Sequence, residues 1–564
     1  MAKVKSRNFV HSTQGYIKYA RSKFPIDHSH KTMFNMGYLI PLDVQEIYPG
    51  DSVKESVTHV IRTTSPFIRP VMDNLFIDMY AFFVPNRLVF DKWQELMGEN
   101  TQGPWSETTT PSAPTVSLTK DYPAIENSIA DYMGIPTQSI AAGIDWPVNE
   151  LPFRAYALIW NEWFRNENVE YPTHFSKSTN NNGVFNANPW STTNILGMPA
   201  PVTKFKDYFT AGLPEPQKGE AVDIPIRVNN FNLPVVPLAQ NIPTSLLNQQ
   251  IRVSDTNTGA DVTNNFIIGV SGEGDSTLGL KEEVQWNKEK ELYITNMFAQ
   301  ANSDLINQAF DIGTIRDLTY ANQLQILLEK DMYGTRYVEY LYNHFGCISP
   351  DSRMHRPEFL GGKRIPISIQ QVQQTSQSTE QSPLAQVSAY CLSGGKVGYS
   401  KGFVEHGFVI WVGCVRQHHT YQQGIERFWS RQNRLDYYDP VFANIGFQPI
   451  YESEIYVGQN STAQKNVFAY TEPWQDLRFR FSRISGSLRS TANNGFDIWH
   501  FGDKYTNPPT LNAEFVEETP IYLDRALSVP STTAPQFVLD LFFSGSMIRV
   551  LPTYGKPGLI DHHS

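Results

Sequence analysis

The stretch Leu75–Pro85, LFIDMYAFFVP, constrains the fold of this chain more than any other. Side chains on a strand alternate between faces. Leu75, Ile77, Met79, Ala81 and Phe83 therefore fall on one side, and Phe76, Asp78, Tyr80 and Phe82 on the other. A half-exposed antiparallel strand keeps its second face polar. Here the second face is aromatic with a single aspartate, so something must cover it.

Composition favours many short strands joined by turns. The 564 residues include 34 Phe, 27 Tyr, 11 Trp, 37 Pro and 36 Gly, the pattern of a mainly β chain in which helix is the minority. Length alone suggests three or four domains at roughly 150 residues each, but β-sandwiches run longer as one unit. Cys347, Cys391 and Cys414 have neither metal-ligand spacing nor an even count, which fits a reducing compartment. The first residues lack the apolar core of a signal peptide. The longest apolar run, Phe408–Val415, is far below the roughly 20 residues of a membrane helix. A soluble chain without Sec export or membrane insertion is expected.

The formal net charge of −10 argues against a simple nucleic-acid binder, yet the charge is uneven. Residues 1–31 hold Lys3, Lys5, Arg7, Lys18, Arg21, Lys23 and Lys31 against one acid, Asp27. This is a basic arm on an acidic body, with a plain solvated terminus as the alternative.

Past the arm, Val53, Glu55, Val57, His59 and Ile61 alternate with Lys54, Ser56, Thr58 and Val60 after a Pro-Gly-Asp turn, which predicts a strand. Further strands are predicted at His406–Arg416, Leu477–Arg489 and Phe537–Pro552. In 150–170, Tyr156, Ile159, Trp160, Trp163 and Phe164 recur at three- and four-residue steps, the mark of an amphipathic helix with an aromatic stripe. Such a stripe packs into a core or against another subunit. A pair of helices is predicted over 314–346, the second closed by Gly346. The polar tracts Ser178–Asn194 and Glu220–Ala299 read as exposed excursions. No period of 20 to 50 residues repeats, which disfavours solenoids and propellers.

Catalytic motifs are absent: there is no nucleophile elbow, zinc-protease helix, phosphate loop or dinucleotide fingerprint. Gly269–Gly279 has the glycines of a phosphate cradle without its lysine. The histidine pairs His28/His30, His418/His419 and His562/His563 lack Cys or Glu partners nearby in sequence, so neither a metal nor a cofactor is expected. Asp73, Asp78, Asp436 and Asp439 could supply a glycosidase pair, though structural use is the commoner fate of such acids. In LRFRFSRISGSLR, Arg478 and Arg480 alternate with Phe479 and Phe481, and Arg483 and Arg489 follow. Arginines neutralise phosphates and aromatics stack on unpaired bases, so the pattern suits single-stranded nucleic acid, with salt bridging to acidic neighbours as the alternative.

Several strings point one way. MDNLFIDMYAFFVPNRLVFDKWQELMGE, LPFRAYALIWNEWFRNEN, DYFTAGLPEPQKG, SPDSRMHRPEFLGG, TYQQGIERFWSRQNRLDYYDPVFANIG and YGKPGLIDHH, with the PGD turn at Pro49–Asp51, closely resemble the major capsid proteins of the gokushoviruses, small single-stranded DNA phages of the Microviridae. The match spans most of the chain and fades between Gly219 and about Thr314 and across Ser178–Asn194. The resemblance implies an eight-stranded antiparallel jelly roll over 32–564 with large insertions. It further implies a non-enzymatic subunit of a sixty-copy (T=1) icosahedral shell, assembled in the bacterial cytoplasm around circular single-stranded DNA. The 220–299 insertion would then be a surface protrusion that meets a host receptor.

On that footing a second subunit can cover the aromatic face, making Phe76, Tyr80, Phe82, Tyr156, Trp160, Trp163 and Phe164 candidate interface residues. The chain's own loops are the alternative cover. The arm (Lys3, Lys5, Arg7, Lys18, Arg21, Lys23) and Arg478, Arg480, Arg483 and Arg489 are the candidate DNA contacts. Sixty such chains would carry a formal charge of about −600, so a small basic packaging protein, polyamines or divalent cations are expected inside. A β-sandwich glycan-binding protein or glycoside hydrolase is the alternative.

Overall fold

The computed structural model describes residues 20–100, 110–218, 334, 336–373, 387–444, 446–458, 465–493 and 495–554. Of 219–333 it describes short strand segments and one helix. The chain divides into two compact units, residues 1–218 with 329–564, and 219–328.

The larger unit is built on eight long strands: β1 (His28–Phe34), β2 (Ile40–Ile47), β3 (Ser52–Thr63), β4 (Leu75–Pro85), β5 (Glu358–Ile367), β6 (Val387–Gly402), β7 (Gly407–Gln417) and β8 (Phe537–Arg549). They form two antiparallel sheets, in the orders β1-β8-β3-β6 and β2-β7-β4-β5. This interleaved order is that of a jelly-roll sandwich. Ser22–Pro25 extends the edge beside β8, and Ile369–Gln373 lies outside β6. The sheet thus begins inside the segment read from sequence as a basic arm.

The two sheets differ in what covers them. Strand β3 alternates strictly: Val53, Glu55, Val57, His59 and Ile61 are buried, while Lys54, Thr58, Val60 and Arg62 are exposed. Its outer face is wet, as in an ordinary antiparallel sheet. Strand β7 is buried along all eleven residues and β4 almost so. Between the sheets lies a core that includes Val57, Ile61, Met79, Phe83, Trp411, Leu539 and Phe543. A second core lies on the far side of β2-β7-β4-β5, where Phe82, Val84, Ile410 and Val412 meet Val89, Phe90, Phe153, Tyr156, Ile159 and Trp160 from the long connection between β4 and β5.

That connection carries the aromatic helix. Helix α1 (Leu151–Ile159) starts on Pro152 in its first turn, where the missing N–H costs nothing, and widens into a π turn at Trp160–Phe164. A third core, around Tyr208, Phe209, Ile455, Tyr456 and Phe515, joins later loops. The predicted helix pair appears as α2 (Ile315–Asp331) and α3 (Tyr337–Phe345), the latter ended by Gly346 in the left-handed region. Thr314 and Thr335, which precede the two helices in sequence, lie outside the described residues. In the smaller unit the described elements are two-stranded antiparallel pairs, such as Phe266–Val270 with Leu278–Glu282, and most of α2. The tract read as Glu220–Ala299 falls within this unit.

Candidate assembly and nucleic-acid surfaces

The aromatic face of β4 is covered by the chain itself. Tyr156, Phe82, Trp160 and Phe164 are all buried, Tyr156 at 0% and Trp160 at 3% exposure. The Tyr156 hydroxyl donates to the Leu39 carbonyl at 2.6 Å and accepts from the Ala200 N–H at 3.0 Å. Trp160 Nε1 donates to the Pro201 carbonyl at 2.7 Å. The Phe82 ring lies 5.3 Å from Trp163, 6.1 Å from Phe164 and 5.7 Å from Phe359. Trp163 is partly buried, with its indole N–H on the Pro357 carbonyl at 3.1 Å and the Arg356 guanidinium 3.9 Å over its ring. Phe76 packs edge-on to Phe205 and His418, and Tyr80 lies between Phe82, Phe164 and Phe359. Gly362 faces Tyr80 across the ladder, and a Cβ there would sit 2.1 Å from the ring. Of the seven side chains read as candidate interface residues, Phe82, Tyr156, Trp160 and Phe164 belong to this chain's own core, Tyr80 and Trp163 pack against it, and Phe76 is half-buried on Phe205 and His418. A π-widened helix with a bulky stripe satisfies itself inside one subunit, so the alternative cover, the chain's own insertion, is the one observed.

The lone aspartate of that face is answered by two arginines. Asp78 is fully buried and accepts from Arg364 Nε at 2.9 Å and from Arg416, whose Nε lies at 3.1 Å. Both guanidiniums also cover the Phe205 ring, at 3.7 and 4.3 Å. The other acids weighed as a glycosidase pair are committed to backbone. Asp73 accepts from Phe501 N at 2.8 Å, Asp436 from Gln432 N and Asn433 N at 2.9 and 2.7 Å, and Asp439 from Val441 N at 3.0 Å.

The histidines are likewise structural. His28 pairs with Asp43 at 3.3 Å, and this hydrogen bond outweighs burial and raises its pKa to about 9. His30 Nδ1 lies 2.6 Å from the Leu42 carbonyl. His419 is buried between Asp503 at 2.6 Å and Glu518 at 3.0 Å; burial lowers its pKa, but the two carboxylates prevail and raise it to about 9. Asp503, which also meets Lys204 at 3.4 Å and the Tyr505 hydroxyl at 2.8 Å, is lowered to about 2 against burial by His419 and Lys204. His59 differs: it is fully buried, neither ring nitrogen has a partner, and burial lowers its pKa to about 4. Among the described residues no group of three or more His, Cys, Asp or Glu is arranged to hold a metal. His562 and His563 lie outside the described residues.

The arginine-rich segment is not a strand. Gln475–Leu477 and Gly486–Leu488 are single 3₁₀ turns, with irregular extended chain between. The alternation survives without a sheet: Arg478, Arg480 and Arg483 are exposed, while Phe479 and Phe481 pack on Tyr208. Arg478 pairs with Glu472 and Arg483 with Glu426, whereas among the described residues no ion pair is seen for Arg480 or Arg489. Of the arm, Lys3, Lys5, Arg7 and Lys18 lie outside the described residues. Arg21 donates to the Gly50 carbonyl and to Ser52 Oγ, so it holds the β2–β3 turn, and Lys23 is exposed on the edge strand.

One feature of the asparagine-rich tract was not foreseen. Glu150 and Arg154 form a fully buried ion pair at 3.0 Å. Arg154 donates to the carbonyls of Ser178 at 2.9 Å and Asn180 at 2.7 Å, and Glu150 accepts from Asn182 N and Nδ2 at 2.9 and 2.7 Å. Asn186 and Asn194 bond reciprocally at 3.1 Å. The tract clasps a buried charge pair rather than looping free; the one available signal was the Glu150/Arg154 spacing of four on an apolar helix.

Among the described residues no helix is long and apolar enough to cross a membrane. The family model described as capsid protein (F protein) matches residues 15–559. The chain is similar to capsid protein VP1 of Bdellovibrio phage phiMH2K, at 37% identity over 546 residues, covering 95% of each chain. It is also similar to capsid protein VP1 of Spiroplasma virus 4, at 35% over 554 residues and 96% and 95% coverage, and to that of Chlamydia phage 1, at 35% over 588 residues and 96% of each. With a jelly-roll sandwich and acids and histidines spent on structure, the chain belongs to the phage capsid protein (F protein) family, as a non-enzymatic structural component of a virion.

Proposed function

We propose that the chain assembles as sixty copies into a closed T=1 shell around circular single-stranded DNA, and that residues 219–328 form the projection that meets the host. The reading rests on the capsid family together with the resemblance to single-stranded DNA phages carried by the strings quoted above. The observation that carries the nucleic-acid part is the uneven state of the arginines. Arg478 and Arg483 are neutralised by Glu472 and Glu426, while Arg480 and Arg489 are exposed with no ion pair seen among the described residues. Free exposed guanidiniums suit phosphates. With the chain at −10, a small basic protein or multivalent cations would supply the remaining neutralisation.

The test is to replace Arg480 and Arg489 together by Gln and titrate single-stranded DNA against salt. Each lost phosphate contact lowers the salt slope by roughly 0.7, so a drop of about 1.4 is expected, with less DNA in purified particles. An unchanged slope and DNA content would remove these arginines from the DNA-binding surface.

A further inference from the structure

We propose that the loop 425–442 is a subunit contact and that its occupant is a second copy of this chain. The inference rests on the shell reading above and assigns a surface to it.

Phe428, Trp429, Leu435, Tyr437, Tyr438 and Val441 stand within fourteen residues of one another and are all exposed: Trp429 at 71%, Leu435 at 73% and Val441 at 83%. Aromatics present about 150–250 Å² each, so with the two aliphatics this loop leaves on the order of 700 Å² of apolar side chain in water. The largest apolar patch of an ordinary monomer is about 300–600 Å². One side of a standard protein–protein interface is about 800 Å². The loop thus offers nearly what a stable contact needs.

The loop is also held ready. Arg431 is paired with Asp476, Glu426 with Arg483, and Arg427 lies 3.7 Å from Glu454. Trp474 donates its indole N–H to the Phe442 carbonyl at 2.9 Å and stacks edge-on to Tyr438 at 5.4 Å. Asp436 and Asp439 cap the 3₁₀ turns at Arg434–Asp436 and Pro440–Phe442. A fixed loop loses little conformational entropy on association.

Charge decides between protein and nucleic acid as the occupant. Residues 426–442 contain three arginines and three acids, and two of the arginines are already neutralised within the chain. A polyanion would find one free guanidinium there and two carboxylates. Exposed aromatics with arginine and aliphatics around them, at zero net charge, are the composition of an interface core.

The experiment uses the full chain. In Trp429→Asp/Leu435→Asp, unchanged circular dichroism and thermal midpoint with at least a tenfold loss of sedimenting particles is expected, and Trp429→Phe should restore them. Hydroxyl-radical footprinting of the wild type, free and assembled, gives a reading independent of the variant's folding: Trp429, Tyr437 and Tyr438 should become protected on assembly. Wild-type yields from the double variant, or no protection, would overturn the contact. So would double-variant particles that form normally but lack DNA, since the loop would then be a nucleic-acid surface. Wild-type chain that stays monomeric at every concentration overturns both this contact and the shell. Open oligomers lost in the variant support the contact and refute only the closed shell.

Discussion

Two segments of this chain are about equally aromatic and end in opposite places. Residues 151–164 carry Phe153, Tyr156, Trp160, Trp163 and Phe164, and the helix buries them against β4 and β7. Residues 425–442 carry Phe428, Trp429, Tyr437, Tyr438 and Phe442, and most of them face water. Periodicity separates the two. At helical spacing one apolar face forms and finds a sheet to cover, whereas an irregular loop interleaved with charges presents its rings outward once those charges are pinned. Aromatic content therefore says nothing by itself about which surface is an interface.

That contrast can be broken in three ways. The largest expected effect is Trp160→Ala, which removes a buried ring and a hydrogen bond to Pro201 and should cost about 3–5 kcal/mol in denaturant unfolding of the unassembled chain. A loss below about 1 kcal/mol would mean that the helix is not anchored as described. Next is the acid response of β3. His59 is held neutral, with its pKa lowered to about 4 by burial, while in the unfolded chain it titrates near 6.5. The unfolded state therefore binds the proton first. The stability that this group contributes is present above about pH 6.5 and is lost as pH falls towards 4, by up to about 3 kcal/mol. His59→Leu should flatten the pH dependence of the thermal midpoint over that window, and an unaltered profile would refute the buried neutral state. The smallest effect belongs to Trp429→Ala, which should change the stability of the unassembled chain by no more than about 0.5 kcal/mol, as for other exposed positions. A cost near that of Trp160→Ala would show that the two segments do not differ.

Much of the sandwich was legible because its strands advertise period two. The alternation in β3 and the unbroken apolar run of β7 gave both strands and, with the family strings, the jelly roll. What covers β4 was not legible, because the periodicity of Tyr156 and Trp160 states that they are buried without stating in which molecule. Leu477–Arg489 failed for a related reason. Its alternation is real, but a strand also needs a partner, and here Glu426 and Glu472 hold the arginines while Tyr208 takes the phenylalanines. The asparagine tract misled through composition: Asn reads as solvent-loving until a buried Glu150 asks for donors.

The first sheet has a temporal consequence. β1 pairs with β8, and Met36 N–H reaches the Gln536 side chain at 3.0 Å across a separation of 500 residues. At ~5–20 residues per second of synthesis, the opening strand waits roughly half a minute to a minute and a half for its neighbour to leave the ribosome. Every nascent chain therefore carries an unfinished first sheet until its synthesis is nearly over.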